Sequence, residues 1–173
     1  GTRIADRRAA TETMWAAREA ARTEIRRIAV DGGEEPKRAI VRAVLTGMEA
    51  TSAGWFVRNA QGRWQGVAIE GYLPLEPKGG RPGGTRVARI AKAFGADGGL
   101  SDAEVVAQVG ASGAPVVGKI LAAAVTVEGR VVGVMVLANP ERGGAFGEAE
   151  AEALVELLRE AAPVLHSGRV GQA

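Results

Sequence analysis

Few side chains in this sequence are of the types that carry out catalysis. The chain of 173 residues has no cysteine, which excludes disulfides, thiolate zinc sites, thiol nucleophiles and thioether-linked chromophores. His166 is the single histidine and lies near the chain end, so neither a two-histidine metal site nor a Ser-His-Asp triad is expected. A histidine in such a position is most often a surface residue. We therefore predict no enzyme activity, no catalytic residue, no metal and no cofactor.

A glycine-rich segment at residues 79–84 has the outer spacing of a phosphate-binding loop. It lacks the lysine, because Thr85 follows directly, and no clear strand precedes it, which argues against nucleoside-triphosphate chemistry. A helix is expected at residues 85–94, and its first N–H groups, with Arg86 and neighbouring arginines, could bind an anion. The alternative is a solvated basic loop.

Aromatic side chains on two predicted strands could line a ligand site by stacking, although strand aromatics are more often core residues. A period of two places Trp55 with Val57 on one face, and Trp64 with Ala68 on one face. Either pair could face a cavity. The complete set of predicted ligand-binding residues is Trp55, Val57, Trp64, Tyr72, Arg86, Ile90 and Val125.

Composition and charge narrow the class of protein. The sequence is 46% hydrophobic and carries 22 basic and 20 acidic side chains, a net charge of +2 that is spread along the chain. We therefore expect a globular domain that does not bind nucleic acid. No apolar run reaches the ~18–20 residues of a membrane span, and no signal peptide is visible, so we expect a cytoplasmic protein without membrane contact. Gly1 in place of methionine suggests a domain excised from a larger parent protein.

The first half of the chain predicts two helices followed by a hairpin. Helices are expected at residues 2–30 and 34–50, the second ending within residues 51–54. The first helix either packs on the domain surface or pairs with its copy in a dimer. Strands are expected at residues 55–59 and 63–72, joined by a turn with glycine at its last position.

The middle of the chain is rich in glycine and proline. Residues 73–84 predict a loop. Ser101 followed by Glu104 is a capping signature that predicts a short helix to residue 109. The strand expected at residues 120–127 lies just beyond this middle section.

The last third of the chain has the clearest pattern. A two-residue hairpin loop at residues 128–129 leads to a strand at 130–138, and an acidic start marks a helix at 147–165. The tail, residues 167–173, is expected to fray.

The strand at residues 130–138 does not alternate between apolar and polar side chains, so both faces of its sheet must be covered. The expected faces are Val131, Met135 and Leu137 on one side, and Val132, Val134, Val136 and Ala138 on the other. The long helices cover one face, and the middle section, residues 73–118, must cover the other. That cover either encloses a cavity or fills a core with Val87, Ile90, Phe94, Val105 and Val109.

Residues 128–139, followed by Phe146 and an acidic helix start, resemble the end of a GAF domain. The short segment at 113–117 is similar to a piece that precedes the later strands of that family. Two departures are Gly147, where the family usually has serine or threonine, and a shortened connection at residues 118–119. The signature of the cyclic-nucleotide-binding members is not matched.

The resemblance implies an α+β fold, a single GAF/PAS-like domain whose central antiparallel sheet has the N- and C-terminal helices on one face and a loop-rich cover with short helices on the other. Residues 1–30 would form a dimerisation or signalling helix, 31–166 the GAF-like domain and 167–173 a tail. The resemblance implies a non-catalytic sensor domain of a cytoplasmic signalling or transcription-control protein. Such a domain would form a homodimer, bind a small molecule, a partner protein or both, and work with other domains of a larger parent protein. The alternative is a degenerate GAF fold without ligand, which serves for homodimerisation or protein docking.

Overall fold

The computed structural model describes residues 2–73, 104–109, 120–127 and 130–167, and these contain three helices and five strands. In chain order the elements are α1 (Thr2–Asp31), α2 (Pro36–Gly47), β1 (Ala50–Arg58), β2 (Trp64–Glu70), β3 (Glu104–Val109), β4 (Ile120–Val127), β5 (Arg130–Pro140) and α3 (Glu148–Ser167). The loop predicted at 73–84 (beyond Leu73), the helix predicted at 85–94, the hairpin loop at 128–129 and the tail from residue 168 lie outside the described residues.

The strands form one sheet in the order β2-β1-β5-β4-β3, and every neighbouring pair is antiparallel. Strand β5 lies in the middle, between β1 and β4. A central strand has neighbours on both sides and layers on both faces, which explains why its side chains are apolar throughout. The predicted α+β class with a central antiparallel sheet is confirmed.

The three helices cover one face of this sheet, called here the helix face. Their apolar stripes pack on the sheet in one buried cluster, as the amphipathic patterns predict. Its larger members are Ile25 and Ile28 of α1, Ile40, Val41 and Val44 of α2, Leu154, Leu157, Leu158 and Leu165 of α3, and Trp55, Leu121, Met135 and Leu137 of the sheet.

The opposite face of the sheet, called here the second face, has a separate buried cluster. Its members are Phe56, Ile120, Ala122, Ala124, Val131, Val134, Val136 and Ala138, with Trp64, Ile69 and Leu73 half-buried against them. The prediction that both faces of the last strand are covered is therefore confirmed. The residues expected to form most of that cover, 74–103 and 110–119, lie outside the described part of the chain.

A β-bulge in β2 changes the predicted sharing of faces. Trp55 pairs with Ala68, whereas the next residue, Phe56, pairs with Gly66, so Val67 is an extra residue in β2. The extra residue reverses the alternation. The prediction that Trp64 and Ala68 share a face was wrong: Ala68 packs on the helix face and Trp64 on the second face.

A second bulge, in β5, moves Val131. Val125 pairs with Gly133 and Thr126 pairs with Val131, so one residue of β5 has no pairing partner in β4. Val131 therefore packs on the second face with Val134. Its predicted place beside Met135 was wrong.

Strand β1 begins five residues earlier than predicted. Helix α2 ends at Gly47, and Glu49 has a φ of 51°, in the left-handed region that breaks a helix. Ala50 then opens the strand, so the prediction that residues 51–54 end the helix was wrong. These residues are mostly small and carry no strand signal of their own, and their pairing with β5 from Ala50↔Pro140 onward determines their conformation.

The short helix predicted from Ser101 was also wrong over the residues that the structure describes. Glu104–Val109 is strand β3, paired with β4 from Glu104↔Thr126 to Val109↔Leu121. Its valines favour an extended backbone, and pairing with a neighbouring strand outweighs a local capping signal.

Candidate functional site

The predicted ligand-binding residues lie on both faces of the sheet. Trp55 and Val125 are buried in the helix-face cluster, and Val57 packs half-buried against it. Trp64 packs on the second face, and Tyr72, just after β2, is 80% exposed. The two remaining residues, Arg86 and Ile90, lie outside the described residues. The described members of the set are therefore not brought together, and their binding of a ligand stays a prediction.

Trp55 is a central packing residue of the helix face, with 1% of its surface exposed. Its ring lies directly against the backbone of Gly133 on the neighbouring strand. A Cβ atom at Gly133 would lie 3.0 Å from the ring atom Cε2 and even closer to Cζ2 and Cη2. Glycine at this position is explained by close approach of a side chain.

The half of the second face formed by β1 and β2 is filled by large side chains. A Cβ atom at Gly54 would lie 2.8 Å from the Phe56 ring and 2.6 Å from Leu73 Cδ1. A Cβ atom at Gly66 would lie 2.8 Å from Ile69 Cδ1 and 3.3 Å from the same ring. The two glycines therefore provide the space that these side chains occupy, and this half is a packed core.

In the half formed by β4 and β5, each alanine lies opposite a larger, β-branched side chain. Ala122 pairs with Val136, Ala124 pairs with Val134, and Ala138 pairs with Ile120. The three alanines have at most 1% of their surface exposed. The described side chains that pack on the second face from outside the cluster, Trp64, Ile69 and Leu73, all come from β2 or the residues after it, at the other half.

Ser52, on β1, has a buried hydroxyl, with 1% of the residue's surface exposed. Ala53 and Trp55 pack on the helix face, so the alternation of β1 directs Ser52 to the second face, like Phe56. It stands opposite Ala138 in the register. Its hydroxyl has no hydrogen-bond partner.

An unpaired hydroxyl in a buried position is unusual, because buried polar groups are nearly always hydrogen-bonded. The adjacent Thr51 shows the ordinary arrangement: its Oγ1 donates a hydrogen bond of 3.1 Å to the carbonyl oxygen of Ala138. Sequence reasoning missed Ser52 because it assigned residues 51–54 to the end of a helix. Only the correct start of β1 would have placed this serine between two apolar strands.

A small cavity lies at the edge of the helix face, where α1 meets the loop before α3. It has a volume of about 100 Å³, and Met14, Arg18 and Phe146 are among its lining residues. The Arg142 Nε atom donates to Glu49 Oε2 at 2.9 Å across its rim. Its volume suits a few water molecules, so it is too small for a nucleotide.

The charged groups of α2 serve to attach it to the sheet edge. Arg38 Nη1 lies 3.1 Å and Arg42 Nε 2.9 Å from the Glu70 carboxylate on β2. Partial burial raises the pKa of Glu70, but the hydrogen bonds from both arginines more than offset it, so its pKa lies below the usual value. This arrangement explains a structural role and provides no general acid or base near neutral pH.

The described residues hold no group of three or more histidine, cysteine, aspartate or glutamate side chains that could bind a metal ion. Among the same residues, no helix is both long and apolar enough to span a membrane.

Comparison with solved structures identifies the fold. The GAF domain of an Acinetobacter phosphoenolpyruvate-protein phosphotransferase is 16% identical with a TM-score of 0.59, and the match covers 91% of this chain and 95% of that one. A GAF domain from a phosphoenolpyruvate-protein phosphotransferase of Coxiella burnetii is 14% identical with a TM-score of 0.57, covering 92% and 97%. The phycoerythrobilin-bound GAF domain of a cyanobacterial phytochrome is 15% identical with a TM-score of 0.57, covering 88% and 97%.

No family model and no curated protein sequence matches the chain. The structural matches nevertheless span nearly all of it, and they confirm the resemblance that the last third of the sequence indicated. The chain has a GAF-like fold.

Proposed function

We propose that this chain is a non-catalytic sensor domain of a cytoplasmic signalling or transcription-control protein, and that it binds a small molecule on the second face of its sheet. The observation that carries the proposal is Ser52, whose buried hydroxyl lies on the second face without a hydrogen-bond partner. One solved domain of the same fold binds phycoerythrobilin, which supports ligand binding by this architecture. Covalent attachment through a cysteine is not available here.

The signal would pass through the sheet to the helices on the other face and on to further domains of a larger parent protein. Arg22 Nη2 donates to Glu156 at 3.0 Å, and Arg26 Nη2 donates to Glu160 at 2.8 Å. Both partners advance by one turn together, so α1 and α3 run parallel along this seam. A ligand that favours one packing of these helices shifts the population towards it, by no more than its difference in affinity for the two states.

Thermal melting against a panel of metabolites and nucleotides tests the proposal. A ligand at about 100 times its dissociation constant stabilises the folded state by ~2.7 kcal/mol, which raises the melting temperature by roughly 5–11 °C for a chain of this size. The control is Ala124→Leu, which adds bulk to the second face at a buried alanine and should abolish the response. No stabilisation by any compound, or an undiminished response in the variant, would contradict a site on the second face.

The second candidate is a GAF fold without ligand that acts as a homodimerisation or docking module. The observation that favours it is Trp15 on α1, whose surface is 65% exposed. Tryptophan is enriched among the residues that carry most of the binding energy in protein interfaces. Light scattering of Trp15→Arg decides this point, since the substitution leaves the buried side of α1 intact: a dimer that becomes a monomer supports the candidate, and an unchanged state of association refutes it.

A further inference from the structure

We propose that the small cavity between α1 and the loop before α3 binds a short-chain carboxylate, and that Arg18 is the residue that holds its carboxyl group. The cavity lies on the helix-face side of the sheet, so this inference goes beyond the second-face site and does not depend on it. Three features carry it: the apolar part of the lining, the pairing of the charges around the cavity, and the cavity's size.

Part of the lining is apolar and adaptable. Met48 and Phe146 belong to the buried cluster of the helix face, with 5% and 1% of their surfaces exposed. Met14, on α1, is half-buried. Methionine has three rotatable bonds and a polarizable sulfur, so it adapts its shape to a small apolar group. This part of the lining suits the hydrocarbon end of a ligand.

The two carboxylates of the lining already have partners within the fold. Glu49 accepts hydrogen bonds from two nitrogens of Arg142, at 2.9 and 3.4 Å. Glu150 Oε2 accepts from the backbone N–H of Gly147 at 2.9 Å, just before α3 begins. Both acidic groups are therefore matched by donors other than Arg18.

Arg18 is the charged lining residue that has no partner among the residues that the structure describes. The arginines one and two turns further along α1, Arg22 and Arg26, both pair with glutamates of α3. The same spacing would pair Arg18 with Glu152, but the half-buried Arg18 lines the cavity instead. A guanidinium presents N–H donors in a planar fork that matches a carboxylate. A carboxylate in the cavity would give Arg18 the kind of partner that the other two arginines have.

The size of the cavity limits the ligand to a few atoms. Its volume is about 100 Å³. A protein cavity of ~150 Å³ holds benzene, which has six non-hydrogen atoms, so this cavity has room for roughly four or five. Acetate has four non-hydrogen atoms and propionate has five. A ligand of this size makes few contacts, so we expect a dissociation constant on the order of 1 mM.

NMR of the methionine methyl groups tests the inference, because the chain has three methionines. Met14 and Met48 line the cavity, whereas Met135 is buried in the central strand β5 and serves as the internal control. In methyl-labelled protein, titration with propionate should shift the resonances of Met14 and Met48 and leave that of Met135 nearly unchanged. Propionamide has nearly the same shape without the charge, and it should bind about tenfold more weakly because it cannot form a charge-assisted hydrogen bond with the guanidinium.

A matched pair of variants tests the role of Arg18. Arg18→Gln removes the charge and keeps a polar side chain, so it should weaken propionate binding about tenfold and leave propionamide binding nearly unchanged. Arg26→Gln removes the same charge from the same helix outside the cavity lining, where Arg26 pairs with Glu160, and it should leave both affinities nearly unchanged.

Several results would overturn the inference. Equal shifts of all three methionines, or no shift of Met14 and Met48 at about 50 mM propionate, would show that the cavity holds only water. Equal weakening of propionate binding by both variants would overturn the role of Arg18, and tighter binding of inorganic phosphate than of propionate would overturn the carboxylate class. None of these results bears on the second-face site, which is tested separately by the melting response of Ala124→Leu.

Discussion

Replacement of Gly133 by alanine would place a methyl group against the ring of Trp55. Both residues are held firmly: Gly133 lies in the central strand β5, paired on both sides, and Trp55 has 1% of its surface exposed. The new Cβ atom would be well inside van der Waals distance of two ring atoms and 3.0 Å from a third. Distances this short cannot persist, so the strand or the ring must shift.

Two opposing terms determine the size of the effect. Overpacking of a tight core costs about 1–3 kcal/mol. Alanine in a strand is favoured over glycine by roughly 0.5–1 kcal/mol because it loses less backbone entropy. We therefore expect Gly133→Ala to be less stable by about 1–2 kcal/mol, a fall in melting temperature of roughly 2–8 °C.

Urea unfolding followed by circular dichroism measures this effect and its cause. Trp55→Phe shortens the ring and removes an indole N–H that has no partner, so it opens space for the methyl group. The double variant should be more stable than the sum of the two single changes by about 1–2 kcal/mol. Phe56→Leu is the matched control, because Phe56 lies on the second face and its combination with Gly133→Ala should be additive.

Either of two results would refute this reasoning. The first is a Gly133→Ala protein as stable as the wild type. The second is additivity in the Trp55 cycle, which would mean that the two residues do not touch.

Three further substitutions test other contacts. Glu70→Gln should be less stable near neutral pH by about 1 kcal/mol. Folding lowers the pKa of Glu70, so the stabilisation by its carboxylate is present above the ordinary pKa of 4.5 and is lost as the pH falls below it. The urea midpoints of the variant and the wild type should therefore converge in acid, and a constant gap between them would contradict this. Asn59→Ala removes an acceptor that holds two backbone N–H groups of the β1–β2 turn, and it should lower stability by about 1 kcal/mol, while Ala60→Ser beside it should not. Gly47→Ala should destabilise the protein despite the better helix propensity of alanine, because the new methyl group would clash with Ala21 of α1. A higher melting temperature of the variant would show that α1 and α2 are not in close contact there.

The sequence predicted the elements whose pattern repeats along the chain. Helices α1 and α3 and strands β4 and β5 follow from apolar stripes, acidic helix starts and valine-rich runs, because burial of a regular face leaves a regular pattern. The lack of alternation in β5 correctly indicated a covered second face.

Bulges and long-range pairing were not predictable in the same way. One extra residue in β2 and one in β5 reverse the alternation, and nothing local in the sequence marks Val67 as unpaired. Strand β3 carries a helix-capping signature, and only its partner β4 makes it a strand. Ser52 could not be recognised as a site residue until β1 was known to begin at Ala50.

Alanine methyl groups offer the most direct test of a ligand on the second face. Ala122, Ala123 and Ala124 are consecutive on β4, yet the middle one packs on the helix face and the outer two on the second face. In methyl-labelled protein titrated with a compound that raises the melting temperature, we predict shifted resonances for Ala122, Ala124 and Ala138, with Ala123 and Ala53 nearly unchanged. The opposite pattern, or no shift at saturating ligand, would contradict the account.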